Sequence, residues 1–334
     1  MGAAFLLLKI LTHTKELIME FTAFSRQVID QLESDITAYL QACKLPSPLH
    51  EASLYAMTNG GKRVRPLLVA ATFATVKTGN SLANPSHQLS NDVRRAMMAV
   101  ECLHGYSLVH DDLPCMDDDA LRRGRPTTHI AYGEAAAMLA GDVLQTLAFE
   151  VLTAELPTFA PYDSVIASQL IAIFAPRARR MVAGQMLDLN AEASTNITQS
   201  DLEAIHRDKT GALIEAAMLM GGICAGATAP QRIALQDCAQ HIGLAFQVQD
   251  DILDVTTSTD TLGKPAGSDE KLDKSTYVKL MGVEQATRYA QSLFNDGRAA
   301  IIRELSSREL SGKKDNADTN ALLALIEWLW SRKK

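Results

Sequence analysis

The chain has 334 residues, 47% of them hydrophobic and 21% charged, and 32 Lys and Arg against 39 Asp and Glu give a formal charge of −7. That composition excludes a disordered, collagenous or disulfide-dense chain, and this length buries a large core without covalent staples. The acidic balance argues against nucleic acid as the main partner, and five cysteines with no CxxC pair read as reduced thiols rather than a zinc site.

The first feature along the chain is an apolar run at residues 5–11, interrupted by Lys9. It lacks the basic leader and small-residue cleavage site of a signal peptide. Residues 1–18 are therefore expected to be an N-terminal extension, non-native or disordered, ahead of one domain at 19–334. No run reaches the ~18 apolar residues that span a bilayer, so no stable membrane insertion is expected and the location is cytoplasmic. Ala, Leu, Met, Glu and Gln are abundant, aromatics make up 5%, and alternating β-branched runs are scarce, which predicts helix almost throughout. Gly and Pro cluster at residues 46–48, 60–61, 79–85, 157–161, 226–230 and 263–267, as helix connections do. Between them lie apolar-rich stretches at 94–110, 132–156, 164–189 and 202–222. The expected fold class is all-α, a single bundle of long helices. Polar stretches at 256–276 and 306–320 read as loops, the first placed to cover a site.

The segment ECLHGYSLVHDDLPCMDDD, residues 101–119, is the first to carry chemistry. Five carboxylates fall between Asp111 and Asp119, at the end of a helical run. Helical spacing puts Glu101, His104 and Asp111 near one face, with Asp112 beside them. Pro114 ends or bulges the helix, which lets Asp117 fold back toward Asp111. The second segment is FQVQDDILDV, residues 246–255. Gln247, Asp250, Asp251 and Asp254 stand at i, i+3, i+4 and i+7, a polar stripe flanked by Phe246, Ile252, Leu253 and Val255. One acidic run is ordinarily a solvated face. Two, each starting within an apolar helix, repel themselves unless something neutralises them, and oxygen-rich clusters suit Mg²⁺ bridged to phosphate.

Basic groups complete the pattern. GGKRVRP, residues 60–66, sets Lys62, Arg63 and Arg65 beside a glycine pair, without the spacing of a Walker loop. Arg122, Arg123 and Arg125 follow the first acid cluster. Lys209-Thr210 opens an apolar run, and Lys264 lies beyond the second cluster. Each alone reads as solvated surface. Together with two metal-type clusters they point to a diphosphate ligand, since Arg forks onto phosphate oxygens and Lys acts as a point charge.

In ordered combination, GGKRVRP, DDLPCMD with its two-residue insertion, LRRGRPTTH, DKTGAL, FQVQDDILD, LGK and KST resemble the short-chain trans-prenyltransferase (polyprenyl synthase) family, in particular the bacterial-type farnesyl diphosphate synthases. The resemblance runs from about Phe21 to the C-terminus. It implies an isoprenoid-synthase bundle around a deep central cavity, usually dimeric, that condenses isopentenyl diphosphate with dimethylallyl or geranyl diphosphate. It implies Mg²⁺, about three ions, on Asp111, Asp112 and Asp117, opposed by Asp250 with Asp251 and Asp254 nearby. Arg122, Lys209 and Lys264 would take the allylic diphosphate. Lys62, Arg65, His104 and Arg123 would take that of isopentenyl diphosphate, and Thr210 and Gln247 would line the reacting centre. Tyr106, five residues before Asp111, and Ser107 would set product length at fifteen carbons. Alternatives are a geranyl or geranylgeranyl diphosphate synthase and, in another class, a non-catalytic prenyltransferase subunit or a cation-binding bundle. A terpene cyclase has no use for Lys62, Arg65, His104 and Arg123.

Overall fold

The computed structural model describes residues 2–78, 89–192, 197–256, 276–305 and 320–331, with side chains from Met19 onward. It is helical almost throughout: α1 (Gly2–Ala42), α2 (Leu49–Met57), α3 (Val64–Thr78), α4 (Asn91–Asp111), α5 (Thr128–Tyr132), α6 (Glu134–Thr153), α7 (Ser164–Glu192), α8 (Gln199–His206), α9 (Ala212–Cys224), α10 (Ala229–Thr256), α11 (Tyr277–Met281), α12 (Val283–Leu305) and α13 (Ala321–Ser331). The expected all-α bundle of long helices is what forms. Two elements differ from the sequence reading. Residues 121–126 make a two-stranded hairpin, β1 (Leu121–Arg122) with β2 (Arg125–Pro126). The run at 202–222 is two helices joined by a π-turn, Arg207–Gly211.

Side-chain caps start the helices where the sequence offers them. Ser90 accepts from the Val93 N–H, Asp163 from the Val165 and Ile166 N–H groups at 2.8 and 3.1 Å, and Thr198 with Asp201 forms a reciprocal capping box. The far end of α6 is closed by the buried Arg95 of α4. Its guanidinium donates to the carbonyls of Val151, Ala154 and Phe159 at 2.7 to 3.2 Å, a cation at a helix C-terminus where the unpaired carbonyls collect.

Helix α9 is the centre of the bundle. Every residue from Ala212 to Ile223 is buried, against α3, α4, α7 and α10. Burying each large aliphatic side chain there stabilises the fold by roughly 1.5–3 kcal/mol. Gly221 lies against the Val69 backbone of α3, too close for a β-carbon, so the crossing requires glycine. Among the described residues only α6 is long and apolar enough to cross a bilayer; its Ala137, Leu144, Leu147 and Val151 pack into the bundle. All five cysteines are free.

Candidate active site

Helix α4 ends at Asp111, as expected three residues before Pro114, and the chain folds back so that the Asp117 N–H donates to the Asp111 carbonyl at 2.9 Å. Asp111 and Asp117 are thereby set side by side. Asp111 faces a cavity of about 440 Å³ that Arg65, His104, Tyr106, Ser107, Lys209 and Thr210 also line. Burial raises its pKa to about 6, and Asp117 and Asp112 push the same way against the pull of Lys209 and Arg122. A carboxylate so poorly compensated is a seat for a cation.

Asp112 is placed differently. It is buried, and Arg122 forks onto it with hydrogen bonds of 2.5, 2.7 and 2.9 Å. The hairpin carrying Arg122 is thus tied to the end of α4. Arg123, at φ 54°, turns the other way and donates to the Gly60 carbonyl, with its guanidinium over Gly61. A side chain at 61 would collide with it. The GGKRVRP loop and the LRRGR hairpin therefore meet, through residues 63 apart in sequence. A buried ion pair locks the loop from beneath: Arg63 to Glu101 at 2.6 Å, with Arg63 also on the Met57 carbonyl. Glu101, read from spacing as a neighbour of His104, is occupied by this pair.

His104 lies among these cations. Burial, then Arg65, Arg123, Arg122 and Arg63, hold its pKa well below the ordinary value, so the imidazole is neutral at pH 7. Burial lowers the Arg65 pKa to about 10, with Arg123 adding to the effect and Glu101 and Asp250 opposing it. Lys62 is exposed beside them. A cluster of cations this dense, with His104 uncharged among them, suits a polyanion.

Lys209 and Thr210 stand on the π-turn. The Lys209 ammonium is paired with Asp188 of α7, and the Thr210 hydroxyl donates to Gln247 of α10 at 3.3 Å. Along α10 the predicted stripe divides. Gln247 and Asp250 are half-buried, while Asp251 and Asp254 are buried at 4% and 2% exposure. Asp251 accepts the Tyr277 N–H at 2.9 Å, because the first turn of α11 needs an acceptor. Lys264 and the segment 257–275 lie outside the described residues. Among the described residues no three carboxylate, thiolate or imidazole groups converge into a closed metal cage. Separated acids around a cation-lined cavity fit Mg²⁺, which keeps waters and is completed by phosphate oxygens.

Below Asp111 the cavity is apolar. Tyr106 stacks edge-on against His110 at 4.8 Å, His110 reaches the Met138 carbonyl at 3.0 Å, and Met181, Val182 and Met186 form the wall from α7. Sequence reasoning missed Asp188 and Gln185. Asp188 is the single acid in the apolar run at 164–189, and that was its signal.

The chain is 46% identical over 293 residues to the farnesyl diphosphate synthase of Escherichia coli, covering 86% of this chain and 90% of that one. It is 42% identical to a chloroplastic geranylgeranyl pyrophosphate synthase of Capsicum annuum, covering 77% of this chain and 67% of that one. A geranyltransferase of Helicobacter pylori, solved with magnesium and isoprenyl diphosphate, superposes with a TM-score of 0.72 at 32% identity, covering 92% of this chain and 95% of that one. The polyprenyl synthetase profile matches residues 46–301. With its two acid clusters and converging cations, the chain belongs to the polyprenyl synthetase family.

Proposed function

We propose that the chain joins isopentenyl diphosphate head-to-tail to an allylic diphosphate, first dimethylallyl and then geranyl, and releases farnesyl diphosphate. The observation that carries this reading is one cavity that an acid and cations, Asp111, Arg65 and Lys209, line together with apolar and aromatic side chains, Tyr106 among them. Asp111, which faces the cavity, is assigned with Asp117 and Asp250 as the metal ligands. Asp112 is engaged by Arg122 and Asp251 by α11, so these two and the buried Asp254 support the ligands from behind. Magnesium held there, about three ions, supplies Lewis-acid stabilisation of the departing diphosphate when bound.

Lys209 and Arg122 add fixed positive charge on the allylic side. Lys62, Arg65, Arg123 and neutral His104 hold the second diphosphate. As the allylic C–O bond breaks, its electron pair leaves with the diphosphate. The double bond of isopentenyl diphosphate then attacks C1, forming the 1′–4 bond. The resulting cation loses a proton to the released diphosphate. Thr210 and Gln247 line that centre, and the apolar wall of Tyr106, Met138 and Met186 keeps water from the carbocation.

A second copy of the chain is proposed over the exposed apolar face of α6 and α7, where Met138, Leu139, Val182, Met186 and Leu187 are 41–58% exposed. A cytoplasmic location belongs to the same proposal. The test is one incubation of labelled isopentenyl diphosphate with dimethylallyl or geranyl diphosphate, with and without Mg²⁺. A Mg²⁺-dependent fifteen-carbon diphosphate is expected. A twenty-carbon main product replaces this reading with a geranylgeranyl diphosphate synthase, and no product replaces it with a non-catalytic subunit.

A further inference from the structure

A π-turn holds one residue more than the α-helix would, and such turns persist where their surroundings fix them. The turn Arg207–Gly211 is gripped from two sides. Gly184 of α7 lies so close to the Asp208 and Lys209 backbone that no β-carbon fits between, and on the opposite side Gly243 of α10 leaves 3.0 Å to the Gly211 α-carbon for one. The grip is completed by one guanidinium. Arg180 of α7 donates through Nε to Asp208 at 2.8 Å, through Nη2 to the Arg207 carbonyl at 3.3 Å, and through Nη1 to Glu215 at 2.9 Å. Asp208 and Arg207 lie in the turn, and Glu215 lies four residues beyond its end. Arg180 thus spans the extra residue. Glu215 is 1% exposed and is anchored a second time by Arg177, which makes it a fixed post.

We propose that Arg180, which does not line the cavity, is a positioning residue for the condensation: it locks the π-turn in the register that presents Lys209 and Thr210 to the allylic diphosphate. Loss of the extra residue would swing the turn by about 100° and shift it about 1.5 Å, which carries Lys209 and Thr210 off the cavity wall. Lysine cannot replace this arginine. An ammonium lacks the planar fork that reaches three acceptors in fixed directions. Among the described residues no hydrogen bond or ion pair joins Arg180, Asp208 or Glu215 to Arg65, His104 or Arg123, so the clamp bears on Lys209 and Thr210 rather than on the isopentenyl diphosphate half.

The inference rests on assigning Lys209 and Thr210 to the allylic half, and the experiment separates the two claims. Arg180→Ala, Arg180→Lys, Asp208→Asn and Lys209→Ala are compared by steady-state kinetics against each substrate and by amide hydrogen exchange over 207–211. For Arg180→Ala the expected result is a KM for geranyl diphosphate raised about tenfold, kcat lowered about tenfold and the KM for isopentenyl diphosphate unchanged. Exchange in the turn is faster, and Arg180→Lys does not restore the parent values. Asp208→Asn leaves Glu215 paired with both arginines and shows the same asymmetry at about threefold; it decides the matter if Arg180→Ala fails to fold. Unchanged exchange at 207–211, or equal effects on both KM values, overturns the proposal. If Lys209→Ala raises the geranyl diphosphate KM and Arg180→Ala does not, Arg180 has no positioning role. If Lys209→Ala leaves that KM unmoved, the allylic assignment fails, and the proposal falls with it.

Discussion

Replacing Asp111 with Asn should pull stability and activity in opposite directions. The Asp111 pKa is raised from 3.8 to about 6, chiefly by burial, with Asp117 and Asp112 as like-charged neighbours. The folded state therefore takes up the proton more readily than the unfolded state. Above about pH 6 the ionised carboxylate weakens the metal-free fold by about 3 kcal/mol, and this penalty fades as the pH falls from 6 to 3.8. Asn keeps the shape and removes the charge. In EDTA at pH 8, urea unfolding should find Asp111→Asn about 2–3 kcal/mol more stable than the parent, a gap that shrinks to about 1 kcal/mol at pH 4.5. Turnover should fall by about 10²–10³, or 3–4 kcal/mol, the loss expected when one preorganised electrostatic contact is removed. Added Mg²⁺ should stabilise the parent and not the variant. Parental turnover at saturating Mg²⁺ would refute the role given to Asp111. A variant no more stable than the parent at pH 8 without metal would refute the electrostatic account of the mouth.

Two further outcomes follow from the packing. His206 is buried against the Tyr277 ring at 5.7 Å with neither ring nitrogen hydrogen-bonded among the described residues, and burial lowers its pKa from 6.5 to about 4. The unfolded state binds the proton first, so this residue removes about 3 kcal/mol of stability as the pH falls from 6.5 to 4. His206→Phe should flatten that part of the pH–stability curve; an unaltered slope in urea titrations would show that His206 is not the titrating group. Tyr106→Ala removes the ring that stacks on His110 beneath Asp111, and product chromatography should show chains longer than fifteen carbons as the main product. An unchanged profile would remove the ring as the floor of the cavity.

Composition and the spacing of Gly and Pro were enough to predict a bundle of long helices, because helix formation and its termination are local. The same holds for the break after Asp111. Pro114 lacks the N–H that would continue the helix and its ring crowds the turn before it, and the Asp117 N–H then donates to the Asp111 carbonyl; in α7, by contrast, Pro176 is carried inside the helix. The motifs were legible for a similar reason. Paired aspartates inside apolar helices, and glycines beside arginines, are residue choices that folding alone disfavours.

What the sequence could not rank was which charge meets which. Helical spacing gave Asp250, Asp251 and Asp254 one common stripe, yet the half-buried Asp250 and the two buried residues part ways because α11 and its unpaired N–H groups arrive from 26 residues downstream. Arg122 and Arg123 are adjacent, but the hairpin turns one onto Asp112 and the other onto Gly60. The π-turn under Lys209 has no local signal at all. It exists because Gly184, Gly243 and Arg180, on helices before and after it in sequence, close around it. The kinds of group at the site are set by the chain itself. Their pairing was decided by distances between distant segments, which only the packed bundle fixes.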